Sequence, residues 1–420
     1  MISVSLFSSL KERAPAGQAG ARGVLAGLAL AALFLGAGPA MAQDAASGYN
    51  PVPVGPGAAK VINVSITGST PELTALMRRA FQLHGEFHVA GAGEAAEYAL
   101  RFDANGAGVT VSADPKSVGG TPLHQSFTGA DWRNAAYQAG DYVVQKLTGA
   151  PGFFAGRLAF VSRRSGSREI YDSDLLGQQI SQLTNDHSDS LNPHWSPDGA
   201  KILYTGYYRT GFMEIFLIDL AGRQRRPFAD YKGMNTGGAY SPDGSHVAMI
   251  LSSGDHLELY VSDAQGHSIR RLTETTSVKA SPTWSPDGSM IALSGDPRGY
   301  PLLYEIPAAG GTMTSIPTYI SNNCYEASWN PRDPNLLVFT AARGNGLQIA
   351  LYNFQTREAK WLPTPGDSLE PCWANDGRHI IYTSRQSNQQ QQLAILDTVT
   401  GHNAYLTTKD AFQPAFVYPK

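Results

Sequence analysis

The sequence predicts a small α/β N-terminal domain followed by an all-β six-bladed β-propeller. Three observations carry that prediction. An aromatic residue ahead of a turn signal recurs at Trp195, Tyr240, Trp284, Trp329 and Trp373, at intervals of 45, 44, 45 and 44 residues. Glycine and proline number 44 and 26 in 420 residues, more than an average protein needs and fewer than a disordered one, so turns and short elements are many. Ahead of the repeats, residues 61–150 mix strand-like and helix-like periodicities. A repeat of 40 to 50 residues fixes an architecture before any local signal does.

Composition narrows function first. Charged residues make up 16% of the chain and the net charge is −3, without the basic face of an electrostatic nucleic-acid binder. Two cysteines are too few for a disulfide framework or a cysteine-rich metal site. At the N-terminus Lys11, Arg13 and Arg22 precede an apolar run from Gly23 to Gly38, then Pro39 and Ala40-Met41-Ala42. This reads as a secretory signal, residues 1–42, cleaved after Ala42; the run is short of the ~20 residues that span a bilayer. The alternative is an uncleaved anchor. Residues 43–60 hold few large aliphatics and form a flexible tail, whose Tyr49, Val52 and Val54 suit docking in a partner's groove or on a sheet edge.

In residues 61–150, Val61–Ile66 reads as a strand. Thr70 and Pro71 then open a helix with Leu73, Leu76, Met77, Ala80, Phe81 and Leu83 on one face. Short strands follow near Phe87–Val89, Tyr98–Phe102, Val109–Ser112 and His124–Phe127. A second helix starts after Asp131 and stops at Gly149. Two helices on one mixed sheet is the expected result.

The propeller is predicted for residues 157–420. After three of the register aromatics stands Ser-Pro-Asp-Gly intact, from Ser196, Ser241 and Ser285; the fourth is degraded to Asn330-Pro331-Arg332-Asp333 and the fifth to Ala374-Asn375-Asp376-Gly377. Proline presets the first turn position, Asp bonds back to the backbone and Gly takes the positive φ of a tight hairpin. Three further β-rich runs follow each turn, giving four strands per repeat. The first repeat, from Arg157, lacks an aromatic-plus-turn strand before it. Gln413–Pro419, with Phe416 lying 43 residues after Trp373, supplies that strand and closes a ring of six.

With these parts assembled, the sequence resembles the TolB family. The resemblance rests on the order signal, small α/β domain, Val143–Gly149 at a helix end, Arg157–Val161, and Trp-Ser-Pro-Asp-Gly repeats ending at a closing strand. It implies a periplasmic, monomeric, non-enzymatic scaffold without cofactor or metal. Such a protein docks an OmpA-like peptidoglycan-associated lipoprotein on the propeller and a TolA-like inner-membrane protein through the N-terminal tail, and serves envelope integrity and constriction at division. Two alternatives stay open: an exported propeller hydrolase or lyase with a cation among Glu326, Glu370 and Asp367, and a generic peptide- or peptidoglycan-binding propeller.

For the docking site, the position three before each register aromatic holds Asn192, Gly237, Ser281, Glu326, Glu370 and Gln413. Loops entering the innermost strands converge on a propeller's channel mouth, so these positions are expected in loops that ring one opening, with His194, Asp189, Asn322, Asn323, Tyr325, Asp367 and Ser368 nearby. The lipoprotein-binding set is Asn192, His194, Ser281, Glu326, Glu370 and Gln413. The register aromatics are read as packing between blades, and Glu169, Glu214 and Glu258 as structural. Cys324 and Cys372 fall near one mouth at offsets differing by four positions, which leaves both a bridge and two free thiols open.

Overall fold

A computed structural model describes residues 61–116, 121–253, 256–386 and 389–419. The predicted signal and tail, with Tyr49, Val52 and Val54, lie outside the described residues.

The chain enters a mixed sheet at β1 (Ile62–Gly68), crosses α1 (Pro71–Leu83), and continues through β2 (Phe87–Val89), β3 (Tyr98–Asn105), β4 (Gly108–Pro115), β5 (Leu123–Thr128) and α2 (Trp132–Thr148). The strand order is β2-β1-β3-β4-β5. Strand β1, second in the order, runs parallel to both neighbours, and β3 to β5 form an antiparallel meander. Each helix starts on the residue that its chemistry selects. Thr70 Oγ1 accepts from the Leu73 amide at 3.2 Å with Pro71 in the first turn, and Asp131 Oδ1 accepts from the Asn134 amide at 2.9 Å. Gly149, at φ 78°, ends α2 in the left-handed conformation that costs glycine nothing. Alternation along the strands turns Val64, Ile66, Leu100, Phe102, Val109 and Val111 to the helices and leaves Ser65 and Thr67 on the other face.

From Arg157 onward the chain forms six four-stranded sheets. Blade 1 takes its inner strand from the end of the chain: Ala411–Val417 pairs antiparallel with Arg157–Ser162, Ala411 opposite Ser162 and Phe416 opposite Leu158. Blades 2 to 6 begin with inner strands Ser190–Trp195, Asn235–Tyr240, Lys279–Trp284, Cys324–Trp329 and Asp367–Trp373. The repeated turns close as expected. Ser196 Oγ donates to Asp198 Oδ1 at 2.5 Å, the same Asp oxygen accepts from the Ala200 amide at 3.0 Å, and Gly199 sits at φ 69°. Asn330 replaces this pair in blade 5, its Oδ1 accepting from the amides of Arg332 and Asp333 at 2.9 and 3.0 Å.

The register aromatics stitch blades together. Indole Nε1 of Trp195, Trp284 and Trp373 donates to the carbonyls of Ala415, Ala239 and Ser328 at 3.2, 2.9 and 3.1 Å, each in the preceding blade. Trp329 departs from the pattern, donating to Pro334 O of its own altered turn at 2.8 Å.

In each antiparallel blade the turns between strands one and two and between three and four lie at one end of the ring. The α/β region sits there, against blades 6 and 1. Tyr137 Oη donates to Asp174 at 2.9 Å, Asn375 Nδ2 to Gly152 O at 3.2 Å, and Tyr418 Oη to Asp141 at 2.9 Å. One apolar core runs through the seam, joining Phe81, Phe153 and Phe154 to Leu158, Ile381 and Leu393. The opposite end carries the loops between strands two and three and the links between blades.

Candidate partner-binding channel

The six inner strands share one irregularity. Each loses register against its neighbour at a β-bulge in mid-strand. At the bulge stand Asn192, Gly237, Ser281, Glu326, Glu370 and Gln413, at φ 53°, 68°, 51°, 56°, 56° and 52°. The expectation that these positions lie in loops is corrected: they are inside the strands, where the extra residue of the bulge adopts the left-handed conformation. Five of six are not glycine, and each such residue carries backbone strain of order 1 kcal/mol or more. Gly237, at the same register as five polar residues, is the one sequence signal that could have revealed a bulge.

Three of these side chains offset the strain by bonding around the ring. Gln413 Oε1 accepts from the Asn192 amide at 2.9 Å, Glu370 Oε2 from the Gln413 amide at 2.8 Å, and Glu326 Oε2 from the Glu370 amide at 3.2 Å. Second-strand hydroxyls complete the two acids: Thr340 donates to Glu326 at 2.9 Å and Thr383 to Glu370 at 2.7 Å. The fold thus brings together Glu326, Glu370, Gln413 and Asn192. Ser281 and Gly237 occupy the same register, with no side chain long enough to reach the next blade.

Burial first, and the neighbouring Glu370 carboxylate second, push the Glu326 carboxyl well above the usual range. A carboxyl whose pKa is raised by folding lowers stability as pH rises from its unfolded value toward its folded one. Glu326→Gln, which keeps the acceptor oxygen, should therefore stabilise the protein by about 1 kcal/mol at pH 7 and flatten its stability profile above pH 4.5. Urea unfolding at pH 4.5 and 7 checks this; an equal loss at both pH values would contradict it.

His194 lies two residues beyond the bulge, with Nδ1 3.0 Å from Trp195 O. Burial pushes its pKa down to about 4. Asp189 and Asp367 belong to a set of arginine–aspartate clamps across the open end. Arg168 holds Asp189, Arg209 Nη2 reaches Asp230 at 2.6 Å, and Arg385 Nη2 reaches Asp367 at 2.6 Å. Asp367 also accepts from the Leu347 amide at 2.9 Å and does not join the Glu326–Glu370 pair. Among the described residues no three His, Cys, Asp or Glu side chains form a group that could hold a metal ion.

One set of residues at this end was missed by the sequence reading. Tyr208, Phe212, Tyr231 and Tyr319 project from the loops and links of the open end, Phe212 64% and Tyr319 92% exposed. Tyr319 is also left-handed, at φ 50°. Their signal was an aromatic residue outside any strand alternation: Tyr208 and Phe212 about the Gly211 turn, Tyr231 ahead of Gly233, and Tyr319 between Pro317 and Asn322.

The recurring acids are structural. Glu169 accepts from Thr184 Oγ1 at 2.6 Å and from the amides of Asp186 and His187 at 2.8 and 3.0 Å. Glu214 pairs with Arg209 and the fully buried Glu258 with Lys279, both at 2.8 Å. Cys324 and Cys372 are free thiols. Cys324 bonds locally to Ser321 O, while Cys372 Sγ accepts from the Phe416 amide of the closing strand at 3.3 Å. Burial pushes both thiols up to about 11. Neither should react with iodoacetamide at pH 8 in the folded protein and both should react in urea, with no mass change on reduction; one rapidly alkylated thiol would refute this.

The sequence matches the model of the TolB beta propeller domain over residues 144–416. The Tol-Pal system protein TolB of Anaeromyxobacter sp. (strain K) is 37% identical over 127 residues, 30% of this chain and 29% of that protein. The Tol-Pal system protein TolB of Francisella tularensis subsp. tularensis (strain SCHU S4) is 28% identical over 288 residues, 66% of this chain and 65% of that one. Both alignments span less than two thirds of the relative's own length. The crystal structure of TolB from Acinetobacter baumannii superposes with a TM-score of 0.75 at 21% identity, covering 87% of this chain and 98% of that one, which shows a shared fold. With blade order, closing strand and family match in agreement, the chain belongs to the TolB β-propeller family.

Proposed function

We propose that this chain is the periplasmic, non-enzymatic docking component of a Tol-Pal system, exported by the signal in residues 1–42. It binds an OmpA-like peptidoglycan-associated lipoprotein at the open end of the propeller and a TolA-like inner-membrane protein through Tyr49, Val52 and Val54 of the tail, in support of envelope integrity and division. The observation that carries the lipoprotein reading is the asymmetry of the ring. The α/β region covers one end at blades 6 and 1, while the loops and links of the other carry exposed aromatics; the channel set Asn192, His194, Ser281, Glu326, Glu370 and Gln413 belongs to this reading as the inner wall. Aromatic side chains offer a large contact area with few rotatable bonds to fix on binding, the property of interface anchors. Docking is placed on the rim aromatics, with the channel set beneath them, since three of the channel side chains are already engaged with the wall.

Phe212→Asp with Tyr319→Asp should weaken binding of the purified lipoprotein domain at least about 30-fold, the equivalent of ~2 kcal/mol, with the thermal melt unchanged. Unaltered affinity in the double variant would remove this end from the interface. Absence of any binding by the parent protein would remove the Tol-Pal reading itself.

A further inference from the structure

At the seam between the α/β region and blade 6 lies a buried polar cluster that the docking function does not use. Arg378 donates to Asp397 through Nε and Nη2 at 2.8 and 2.7 Å and also pairs with Glu86 of the α/β region. His379, fully buried, places Nδ1 2.5 Å from Asp376 Oδ2 and Nε2 2.8 Å from the carbonyl oxygen of His84. Both partners are acceptors, so both ring nitrogens carry hydrogen and the ring is an imidazolium.

His84 itself is the anomaly. Its side chain is 1% exposed, at the end of α1, and neither ring nitrogen has a hydrogen-bond partner among the described residues. Its ring centroid lies 4.8 Å from that of His379 and 5.0, 5.7 and 6.1 Å from those of Phe87, Phe153 and Phe154. The charged groups around it are His379 and Arg378 on one side and Asp376, Asp397 and Glu86 on the other, all three acids being committed to His379 or Arg378. His402 and Arg79 flank the seam, bonded to the carbonyls of Gln82 and Tyr405.

We propose that this seam is an acid-release latch, closed while His84 is neutral and opened when His84 takes a proton beside Arg378 and His379. A third cation there would have no acceptor and two cations for neighbours. Opening exposes His84 to water, whereas Asp376 and His379 lie three residues apart on one turn of blade 6 and stay paired. Burial, then His379, hold the His84 ring well below its ordinary value. Burial also lowers His402, which adds to the effect in the same sense. For His379 burial opposes protonation, yet Asp376 keeps its value raised, and Asp376 remains beside it after opening. The sign follows: a histidine whose pKa is depressed by the closed state supplies stability that is present above about pH 6.5 and lost as pH falls below it.

Native-state hydrogen exchange of the full mature chain tests the latch at the amides of His84 and Asp397, which bond to Phe81 O and His402 O. After correction for intrinsic rates, the opening constant should rise about tenfold between pH 7.5 and 5.5. His84→Phe, which keeps an aromatic ring in the cage, should remove most of that rise. In the parent protein, ring NMR should show His84 unprotonated across this range in the closed state. A pH-independent opening constant, a variant that responds as fully as the parent, or an His84 ring that titrates near 6.5 without any change in exchange would each overturn the proposal.

Discussion

Deletion of residues 411–420 should abolish cooperative folding of the propeller. The segment supplies the inner strand of blade 1, and its loss exposes the edge of Arg157–Ser162 along its full length. It also withdraws the buried Ala411 and Phe412, the Ala415 carbonyl that receives the Trp195 indole, the Gln413 acceptor for Asn192, and the Tyr418 hydroxyl that bonds to Asp141 across the seam. Phe412→Ala alone should cost about 3–5 kcal/mol. The whole strand then exceeds the ~5–15 kcal/mol by which a domain is stable. Urea denaturation followed by tryptophan fluorescence should show a shifted midpoint for the point variant and no native baseline for the deletion. A deletion protein that melts as the parent does would disprove closure by the C-terminal strand.

Lys279→Met should cost as much as Phe412→Ala, for an electrostatic reason. Lys279 and Glu258 are both fully buried, with Nζ 2.8 Å from Oε2. The pair joins blade 3 to the inner strand of blade 4, and Lys279 Nζ also donates to Ser277 O at 2.8 Å. Removing the amine leaves the Glu258 carboxylate inside the protein with Arg271 at 3.6 Å as its remaining cation. Breaking one side of a buried pair costs about 3–5 kcal/mol. Adding Glu258→Gln should recover a large part of that loss, because the stranded charge goes with it while the amide oxygen can still accept from the Thr275 amide. A double variant as unstable as the single one would show that packing, not charge, decides this site.

The architecture was legible because two periodicities are written into the chain. The spacing of Trp195, Tyr240, Trp284, Trp329 and Trp373 gave the blades, and Phe416, one residue short of the same interval, gave the closing strand. The caps at Thr70, Asp131 and Gly149 gave the helices, since each rests on local hydrogen bonding. The channel wall was legible only in part. The register picked out Asn192, Gly237, Ser281, Glu326, Glu370 and Gln413 as equivalent, yet a bulge is a relation between two strands, so their place in mid-strand and their left-handed backbone could not be read along one. The open-end aromatics Phe212 and Tyr319 follow no period, and the latch residues His84 and His379 are 295 positions apart in sequence. Contacts of that range are set by how the α/β region lands on blade 6, which no local pattern records.

The bulge ring gives the channel an uneven mechanical character. From blade 5 through blades 6 and 1 to blade 2, successive inner strands are tied by side chain to backbone through Glu326, Glu370 and Gln413. Across blades 3 and 4 the same register holds Gly237 and Ser281, and the ties lie beside it: the buried Lys279–Glu258 pair, the Trp284 indole, and Thr283 Oγ1, which accepts from the Trp329 amide at 3.4 Å. A sixfold architecture is therefore tied in two different ways around its circumference. From blade 5 to blade 2 the channel wall is fastened at the bulge itself, and across blades 3 and 4 it is fastened by a buried charge pair and an indole beside the bulge.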